Sequence, residues 1–162
     1  QANVIASVLA ERLRGSYKML HLPDGLSQDS LHMLMTCEPQ IKEIGDLISR
    51  TDVLLFGIGT AMRMADQRHI ADDVRKQLID NHAVGEALGQ YCDIEGKLIY
   101  STNNIGLSLP DVVKVPNVIA VAGGQEKANA IIGVMRACQK GILIIDEQAA
   151  EGMRQLLQIS AL

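Results

Sequence analysis

Three short apolar runs, each followed by glycine or acidic residues and then by a helical pattern, constrain the fold of this 162-residue chain most strongly. Continuous apolar strands of this kind are typical of parallel sheets that are buried on both faces. Parallel strands also need a crossover between them, which is usually a helix. The sequence therefore predicts an α/β fold, a three-layer parallel sheet flanked by helices. The runs are residues 51–56 (TDVLLF), 117–122 (NVIAVA) and 141–145 (GILII).

The rest of the chain is predicted to form further helices, one extra strand and a β-hairpin. Residues 17–22 are predicted to form a strand, and residues 91–100 a small β-hairpin insertion beside the main sheet. A helical pattern opens the chain at residues 2–13, before any strand, and indicates an N-terminally truncated fold. Further helices are expected at residues 31–35, 39–50, 61–65, 126–138 and 148–158.

Composition excludes several classes of function. The net charge of −4 and the pI near 5.5 argue against a nucleic-acid surface on these residues. With no Trp, three Tyr and one Phe, the chain offers no aromatic platform for bases or sugars. No apolar run approaches the roughly 20 residues that span a bilayer. We therefore expect a cytoplasmic protein that recognises its ligand by polar and electrostatic contacts and does not enter a membrane.

The cysteines and histidines point to no metal site or cofactor. Cys37, Cys92 and Cys138 are odd in number and far apart, which favours reduced, buried and inert thiols over a disulfide framework. His21, His32 and His69 have no spacing to Cys or carboxylates that would hold a metal.

The first candidate loop consists of Gly57, Ile58, Gly59 and Thr60, directly after the first apolar run. Ligands of open parallel sheets bind where strands end and helices begin, because helix N-termini there present unpaired N–H groups. The glycines allow close backbone approach, and the Thr60 hydroxyl can cap the next helix or donate to a phosphate oxygen. The loop lacks the third glycine of a dinucleotide site and the Gly-Lys-Ser/Thr of a P-loop. A purely structural turn is the alternative.

The second candidate loop is the stronger one. Gly123 and Gly124 follow the second apolar run, and Lys127 lies in the first turn of the next helix. A cation there opposes the helix dipole, which suggests that Lys127 has an anionic partner such as a sugar phosphate. The alternatives are a pair with Glu126 or a solvated surface lysine.

Arginines follow the first loop. Arg63 and Arg68 could each place a guanidinium on a phosphate, and either could instead pair with Asp66 or Asp72. We favour Arg68, because it lies where the chain can fold back over the loop.

His82 and Glu86, four residues apart with a glycine between them, are the best acid/base candidates. In a sensor, Glu86 would accept hydrogen bonds from sugar hydroxyls, and both residues could equally serve packing. Asp146, at the end of the third apolar run, is interpreted as the N-cap of the final helix.

Across nearly its full length the sequence resembles the sugar-binding domain of SorC/DeoR-type bacterial transcriptional regulators. The most specific of the matching motifs is the segment around Gly123, Gly124 and Lys127, continuing to residues 146–150. The other matching segments are residues 15–18 (GSYK), 26–28 (LSQ), 38–39 (EP), 56–59 (FGIG) and 83–86 (AVGE).

The resemblance implies a fold similar to sugar-phosphate isomerases and deaminases, used here for sensing rather than catalysis. Residues 1–162 would form a partial effector-binding domain, with a DNA-binding helix-turn-helix domain upstream as the only contact to operator DNA. Binding of a phosphorylated sugar such as fructose 1,6-bisphosphate would change the oligomeric state, a homodimer or tetramer, and with it DNA binding. The alternative is a sugar-phosphate isomerase or deaminase that uses Glu86 or His82 as acid/base.

The resemblance also implies the site residues. Arg68, Glu86 and Lys127 occupy positions that match family ligand contacts, while Gly57, Gly59 and Gly124 would bring backbone to the ligand. The family also carries a glycine- and threonine-rich phosphate loop and an Arg-containing loop, which these residues do not include. His82 stands where related sequences tend to have Asp.

Overall fold

The computed structural model describes residues 2–22 and 25–158 and divides the chain into two compact units, residues 1–50 and 51–162. The first unit is helical. In it Ser27 caps the second helix by accepting a hydrogen bond from the Ser30 N–H at 3.1 Å, and Pro39 starts the third helix. The helices of this unit are α1 (Ala2–Arg12), α2 (Gln28–Cys37) and α3 (Pro39–Ser49).

The strand predicted at residues 17–22 is not formed. These residues have no regular secondary structure, and Tyr17 is half exposed. A strand needs a neighbour to accept and donate its backbone hydrogen bonds, and no described strand pairs with this segment. The short apolar alternation was therefore insufficient to predict a strand.

The three apolar runs form a parallel sheet, as predicted. Its strands are β1 (Val53–Gly57), β6 (Asn117–Ala122) and β7 (Ile142–Ile145), in the order β1-β6-β7. Gly57 pairs with Val121, and Ala122 pairs with Ile145, so the three strands end at one edge. This register brings the loops that follow the strands together.

A second, antiparallel sheet lies in the same unit. Its strands, in spatial order, are β2 (Gly59–Thr60), β3 (Gly85–Ala87), β4 (Gln90–Cys92) and β5 (Leu98–Ser101). The β4–β5 hairpin is the one predicted at residues 91–100, and its turn is held by the Asp93 carboxylate, which accepts hydrogen bonds from two backbone N–H groups. The hairpin is therefore part of a four-stranded sheet.

Helices follow the three parallel strands as the sequence predicts, whereas the helix at Asp72–Asp80 was not predicted. In the core, Phe56, Val118 and Ala120 of the parallel sheet pack with Ile131 and Val134 of helix α6. The helices of this unit are α4 (Ala61–Gln67), α5 (Asp72–Asp80), α6 (Ala128–Cys138) and α7 (Glu147–Leu156), with 3-10 turns at Leu109–Lys114 and Gln125–Lys127.

The opposite face of the parallel sheet is exposed within the second unit. Strand residues alternate between faces, and those that point away from the core are large and apolar. Within residues 51–158 the helices thus cover one face of the sheet, although continuous apolar strands predicted cover on both. The exposed side chains are Val53 (55%), Leu55 (46%), Val121 (41%), Ile142 (64%) and Ile144 (52%).

The packing of α6 on the hairpin predicts that Gly133→Ala is destabilising. A Cβ at Gly133 would lie 2.4 Å from the carbonyl oxygen of Asp93 and 2.9 Å from the Val84 side chain. Overpacking of this kind costs about 1–3 kcal/mol and outweighs the roughly 1 kcal/mol that alanine gains in a helix. Urea unfolding should therefore show a net loss of up to about 2 kcal/mol.

Gly106→Ala is the matched control for this substitution. Its added Cβ would meet only the Asn104 side chain, at 3.4 Å, so its free energy of unfolding should change by less than about 0.5 kcal/mol. A Gly133→Ala variant as stable as the control would show that the helix can move away from the hairpin at no cost.

Candidate functional site

The loop from Gly57 to Thr60 joins the two sheets of the second unit. At its start, the Ile58 N–H donates to the Val121 carbonyl at 3.2 Å, which extends the parallel ladder. At its end, Gly59 lies opposite Glu86 in the antiparallel sheet. The loop therefore connects the carboxyl edge of the parallel sheet directly to the strand that carries Glu86.

The two side chains of this loop face different surroundings. Ile58 is buried in the core, so it can offer a ligand only its backbone. Thr60 occupies the N-cap position of α4, but its side chain makes no capping hydrogen bond. Of the two roles expected for its hydroxyl, capping is therefore not used.

The double-glycine loop is organised around a carboxylate. The Gly124 N–H lies 3.1 and 2.9 Å from the two carboxylate oxygens of Asp146, which also accepts the Ala149 N–H at 2.8 Å. Asp146 thus caps α7, as predicted, and ties the end of β6 to that helix. Bonding to the Ala149 N–H and then to the Gly124 N–H lowers the pKa of Asp146.

Both glycines are required by this geometry. Gly124 has a φ of 96°, in the left-handed region that side chains disfavour. A Cβ on Gly123 would lie 2.7 Å from an Asp146 carboxylate oxygen. The loop was predicted to offer N–H groups to an external anion, but the N–H of Gly124 is already bonded to an internal one.

Lys127 lies between the double-glycine loop and helix α6. It is half buried at the end of the 3-10 turn that precedes α6, and its backbone N–H donates to the Gly124 carbonyl at 3.1 Å. Among the described residues its ammonium has no salt-bridge partner, so the alternative pair with Glu126 is not formed. Its positive charge contributes to the low pKa of Asp146.

Arg68 and Glu86 form an ion pair, and Glu86 lies opposite Gly59 of the first loop. The distance from Arg68 Nη2 to Glu86 Oε1 is 3.1 Å, and Glu86 is only 3% exposed. The same carboxylate oxygen accepts the Gly89 N–H at 2.7 Å. Burial nevertheless raises the pKa of Glu86, with Arg68 as the main opposing influence. A carboxylate that is buried although burial disfavours its charged form is a candidate for function.

Tyr91 is a member of this cluster that the sequence did not single out. It lies directly opposite Glu86 in the β3–β4 pair and is fully buried. Burial, and next the charge of Glu86, raises the pKa of Tyr91 to about 12. The sequence carried no signal for this pairing, because it depends on the register between β4 and β3, a strand that was not predicted.

Other candidates lie apart from this cluster. Arg63 is exposed, and Asp66, proposed as its partner, pairs with Arg75 instead. His82 is exposed in a left-handed turn after α5, whereas Glu86 is buried and bonded to Arg68. Arg68, and not Arg63, thus lies beside Glu86, and no hydrogen bond joins His82 to Glu86 in the described part of the chain.

No group of histidines, cysteines and carboxylates suited to a metal is found among the described residues. Burial raises the pKa of Cys92 to about 12 and of Cys138 to about 11, so both remain thiols at neutral pH. Cys37, expected to be buried, is exposed on α2. Within the described part of the chain, no helix is long and apolar enough to cross a membrane.

The surface beside the first turns of α7 holds an open depression of about 500 Å³. It contains two carboxylates, Glu147 and Glu151, and the second of these pairs with Arg154. This acidic lining does not suit a phosphate. The residues that line it are Gln125, Glu147, Gln148, Ala150, Glu151 and Arg154.

The raised pKa of Glu86 predicts a pH-dependent effect of Glu86→Gln. A carboxyl group with a raised pKa in the folded chain stabilises the fold fully at a pH below its pKa in the unfolded chain, near 4.5. This contribution is lost as the pH rises through the pKa of the group in the folded chain. The free energy of unfolding of Glu86→Gln minus that of the wild type should therefore increase from pH 4.5 to pH 8. Urea unfolding at a series of pH values measures this difference.

Glu95→Gln is the control for this pH series. Glu95 is 74% exposed in its ion pair with Arg136, so its difference from the wild type should vary little over the same range. A Glu86→Gln difference that decreases with pH would mean that Arg68 stabilises the ionised carboxylate more than burial penalises it.

Known proteins resemble this chain over most of its length. Residues 1–155 match the family described as "Putative sugar-binding domain". The central glycolytic genes regulators of Bacillus subtilis and Priestia megaterium are 36% and 38% identical over 151 residues, 93% of this chain. Those residues are 44% of each regulator, so the chain spans less than half the length of these relatives.

Solved structures agree in fold. A SorC family transcriptional regulator from Enterococcus faecalis superimposes with a TM-score of 0.85 at 39% identity, over 94% of this chain and 62% of that one. The full-length sorbitol operon regulator from Klebsiella pneumoniae shares the fold at 21% identity, with a TM-score of 0.77 over 93% of this chain and 49% of the other. The resemblance seen in the sequence is confirmed: the chain belongs to the sugar-binding domain family found in SorC/DeoR-type transcriptional regulators.

Proposed function

We propose that the chain is the effector-sensing domain of a bacterial regulator of sugar metabolism and binds a phosphorylated sugar such as fructose 1,6-bisphosphate. One observation carries the proposal. The loop from Gly57 to Thr60 is hydrogen-bonded to β6, which leads to Lys127, and pairs with β3, which carries Glu86. This connection supports a site in which a cation and a carboxylate–guanidinium pair serve one phosphorylated sugar.

The proposed contacts divide between the phosphate and the sugar. Lys127 has no salt-bridge partner among the described residues and supplies the charge for a phosphate, with the Thr60 hydroxyl and the backbone of Gly57 and Gly59 as further contacts. Because Arg68 is paired with Glu86, their charges offset each other, and we assign this pair to sugar hydroxyls rather than to phosphate. Gly123 completes the proposed site, whereas the N–H groups of Ile58 and Gly124, also predicted as contacts, are already bonded to the Val121 carbonyl and the Asp146 carboxylate.

Sensing without catalysis is favoured over an isomerase or deaminase. An acid/base mechanism using both His82 and Glu86 needs the two groups near the same substrate atom. His82 is exposed in its turn, whereas Glu86 is buried and already bonded to Arg68 and Gly89. The relatives named above are regulators, in keeping with a sensor.

DNA binding is proposed to reside outside residues 1–162, in an upstream helix-turn-helix domain. This agrees with the net charge of −4 and with relatives more than twice as long as the matched region. Such a regulator would act in the cytoplasm, where operator DNA and phosphorylated sugars are both present.

Self-association is proposed through the exposed face of the parallel sheet. Five large apolar side chains on that face, among them Ile142 and Ile144, are between 41% and 64% exposed. A contiguous apolar surface of this kind marks an interaction site in a folded protein. A homodimer or tetramer that buries this face would explain why its side chains are apolar.

Ligand binding is tested by thermal unfolding and calorimetry. Fructose 1,6-bisphosphate should raise the melting temperature of the protein saturably, because a ligand that binds only the native state stabilises it. NMR should show no conversion of the sugar phosphate to a product. Lys127→Gln should weaken the affinity about tenfold or more, the value of a lost charge-assisted hydrogen bond. Lys97→Gln, on the exposed hairpin turn, is the matched control and should bind like the wild type.

Two outcomes would contradict the sensor proposal. One is the absence of any stabilisation by sugar phosphates at millimolar concentration. The other is conversion of the sugar phosphate that is abolished by Glu86→Gln, which would establish an enzyme instead.

Association is tested by sedimentation velocity. Ile144→Lys should shift the wild-type oligomer to monomer, because a charge on the exposed face cannot be buried without a partner. The fold should be kept, since Ile144 is already 52% exposed. Val113→Lys, at a residue 48% exposed in the 3-10 turn, is the control. A wild-type chain that sediments as a monomer at 100 μM or so would contradict the proposal.

A further inference from the structure

Two buried polar atoms in the Glu86 cluster have no hydrogen-bond partner among the described residues. They are the Tyr91 hydroxyl and the Nε of Arg68. Tyr91 is fully buried and lies directly opposite Glu86 in the β3–β4 pair, so the two side chains are on the same face of the sheet. Both unpartnered donors therefore belong to the surroundings of the Glu86 carboxylate.

The Tyr91 hydroxyl is not needed for packing. The ring lies in an apolar cluster with Ala61, Ala65 and Leu78, and 6.0 Å from the ring of Tyr100. A phenylalanine ring fills the same volume without the cost of an unpaired buried hydroxyl. The hydroxyl thus lowers the stability of the folded chain unless it meets a partner there.

The chemistry of that partner follows from the groups around it. Glu86 Oε1 accepts from Arg68 and Gly89, whereas Oε2 has no hydrogen bond to a described residue. Two donors and one acceptor without a partner among the described residues thus belong to one cluster of side chains. A ligand hydroxyl fits this set, because it accepts two hydrogen bonds and donates one. A phosphate dianion does not, because it has no proton to give and is repelled by the carboxylate.

We propose that Tyr91 is a specificity-determining residue that, with Glu86 Oε2 and Arg68 Nε, holds one hydroxyl group of the sugar. The proposal rests on the proposed function, that a phosphorylated sugar binds here. It assigns the Arg68–Glu86 pair to the sugar and leaves the phosphate to Lys127 and the loop from Gly57 to Thr60. Tyr91 then selects ligands by the presence and position of a hydroxyl.

The test combines stability and affinity in Tyr91→Phe. Without ligand, this variant should melt at the same temperature as the wild type or higher, since it removes an unpaired buried hydroxyl. Its affinity for fructose 1,6-bisphosphate, measured by calorimetry, should nevertheless fall about tenfold, the effect of one good hydrogen bond. Opposite signs of the two effects are not expected of a residue with a merely structural role.

A conservative control and a double-mutant cycle complete the experiment. Tyr100→Phe, on the strand next to Tyr91, should leave the affinity unchanged. Tyr91→Phe and Glu86→Gln should weaken binding less together than the sum of their separate effects, because both act on the same ligand hydroxyl.

The outcomes separate the two proposals. If the wild type binds no sugar phosphate, the proposed function is wrong and the inference fails with it. If the wild type binds and Tyr91→Phe binds equally well, only the inference is overturned. It is also overturned if Tyr91→Phe lowers the melting temperature and the affinity together, or if the cycle is additive.

Discussion

Parallel pairing of β6 with both of its neighbours sets the positions of the two candidate loops in the second unit. Gly57 lies beside Val121, and Ala122 lies beside Ile145, so three chain segments leave the sheet at one edge. The path of each segment beyond the sheet starts from that edge. The segment after β1 turns into the antiparallel sheet, and the segments after β6 and β7 are bonded to each other through Gly124 and Asp146.

Two carboxylates at this edge show how surroundings decide a role. Asp146 accepts backbone N–H groups, which lower its pKa, so its charge is stabilising and its function is to fix the loop. Glu86 is buried, and its pKa is raised even though Arg68 and Gly89 bond it. Tyr91 adds an unpaired hydroxyl to the same surroundings. Groups that lower stability in this way are retained where binding uses them.

The sequence predicted the parallel strands because continuous apolar runs that alternate with helical patterns are typical of them. It predicted the loops because strand ends are where backbone groups remain available. It failed at residues 17–22, since a strand depends on a partner that local pattern does not reveal. It also missed Tyr91, whose relation to Glu86 arises only from the register of two short strands. The ion pair between Arg68 and Glu86 could not be predicted from the sequence either, because it joins residues 18 positions apart.

The exposed face and the candidate site share the same three strands. Along β6, Val118 and Ala120 point into the core, whereas Val121 points outward, and its carbonyl accepts the Ile58 N–H at the site loop. A partner that packs on the outward face therefore contacts the residue to which the loop is bonded. A ligand bound at the loop from Gly57 to Thr60 would act on the same residue through this hydrogen bond. Effector binding and self-association would thus be coupled through Val121 by direct contact, without a longer chain of intermediates.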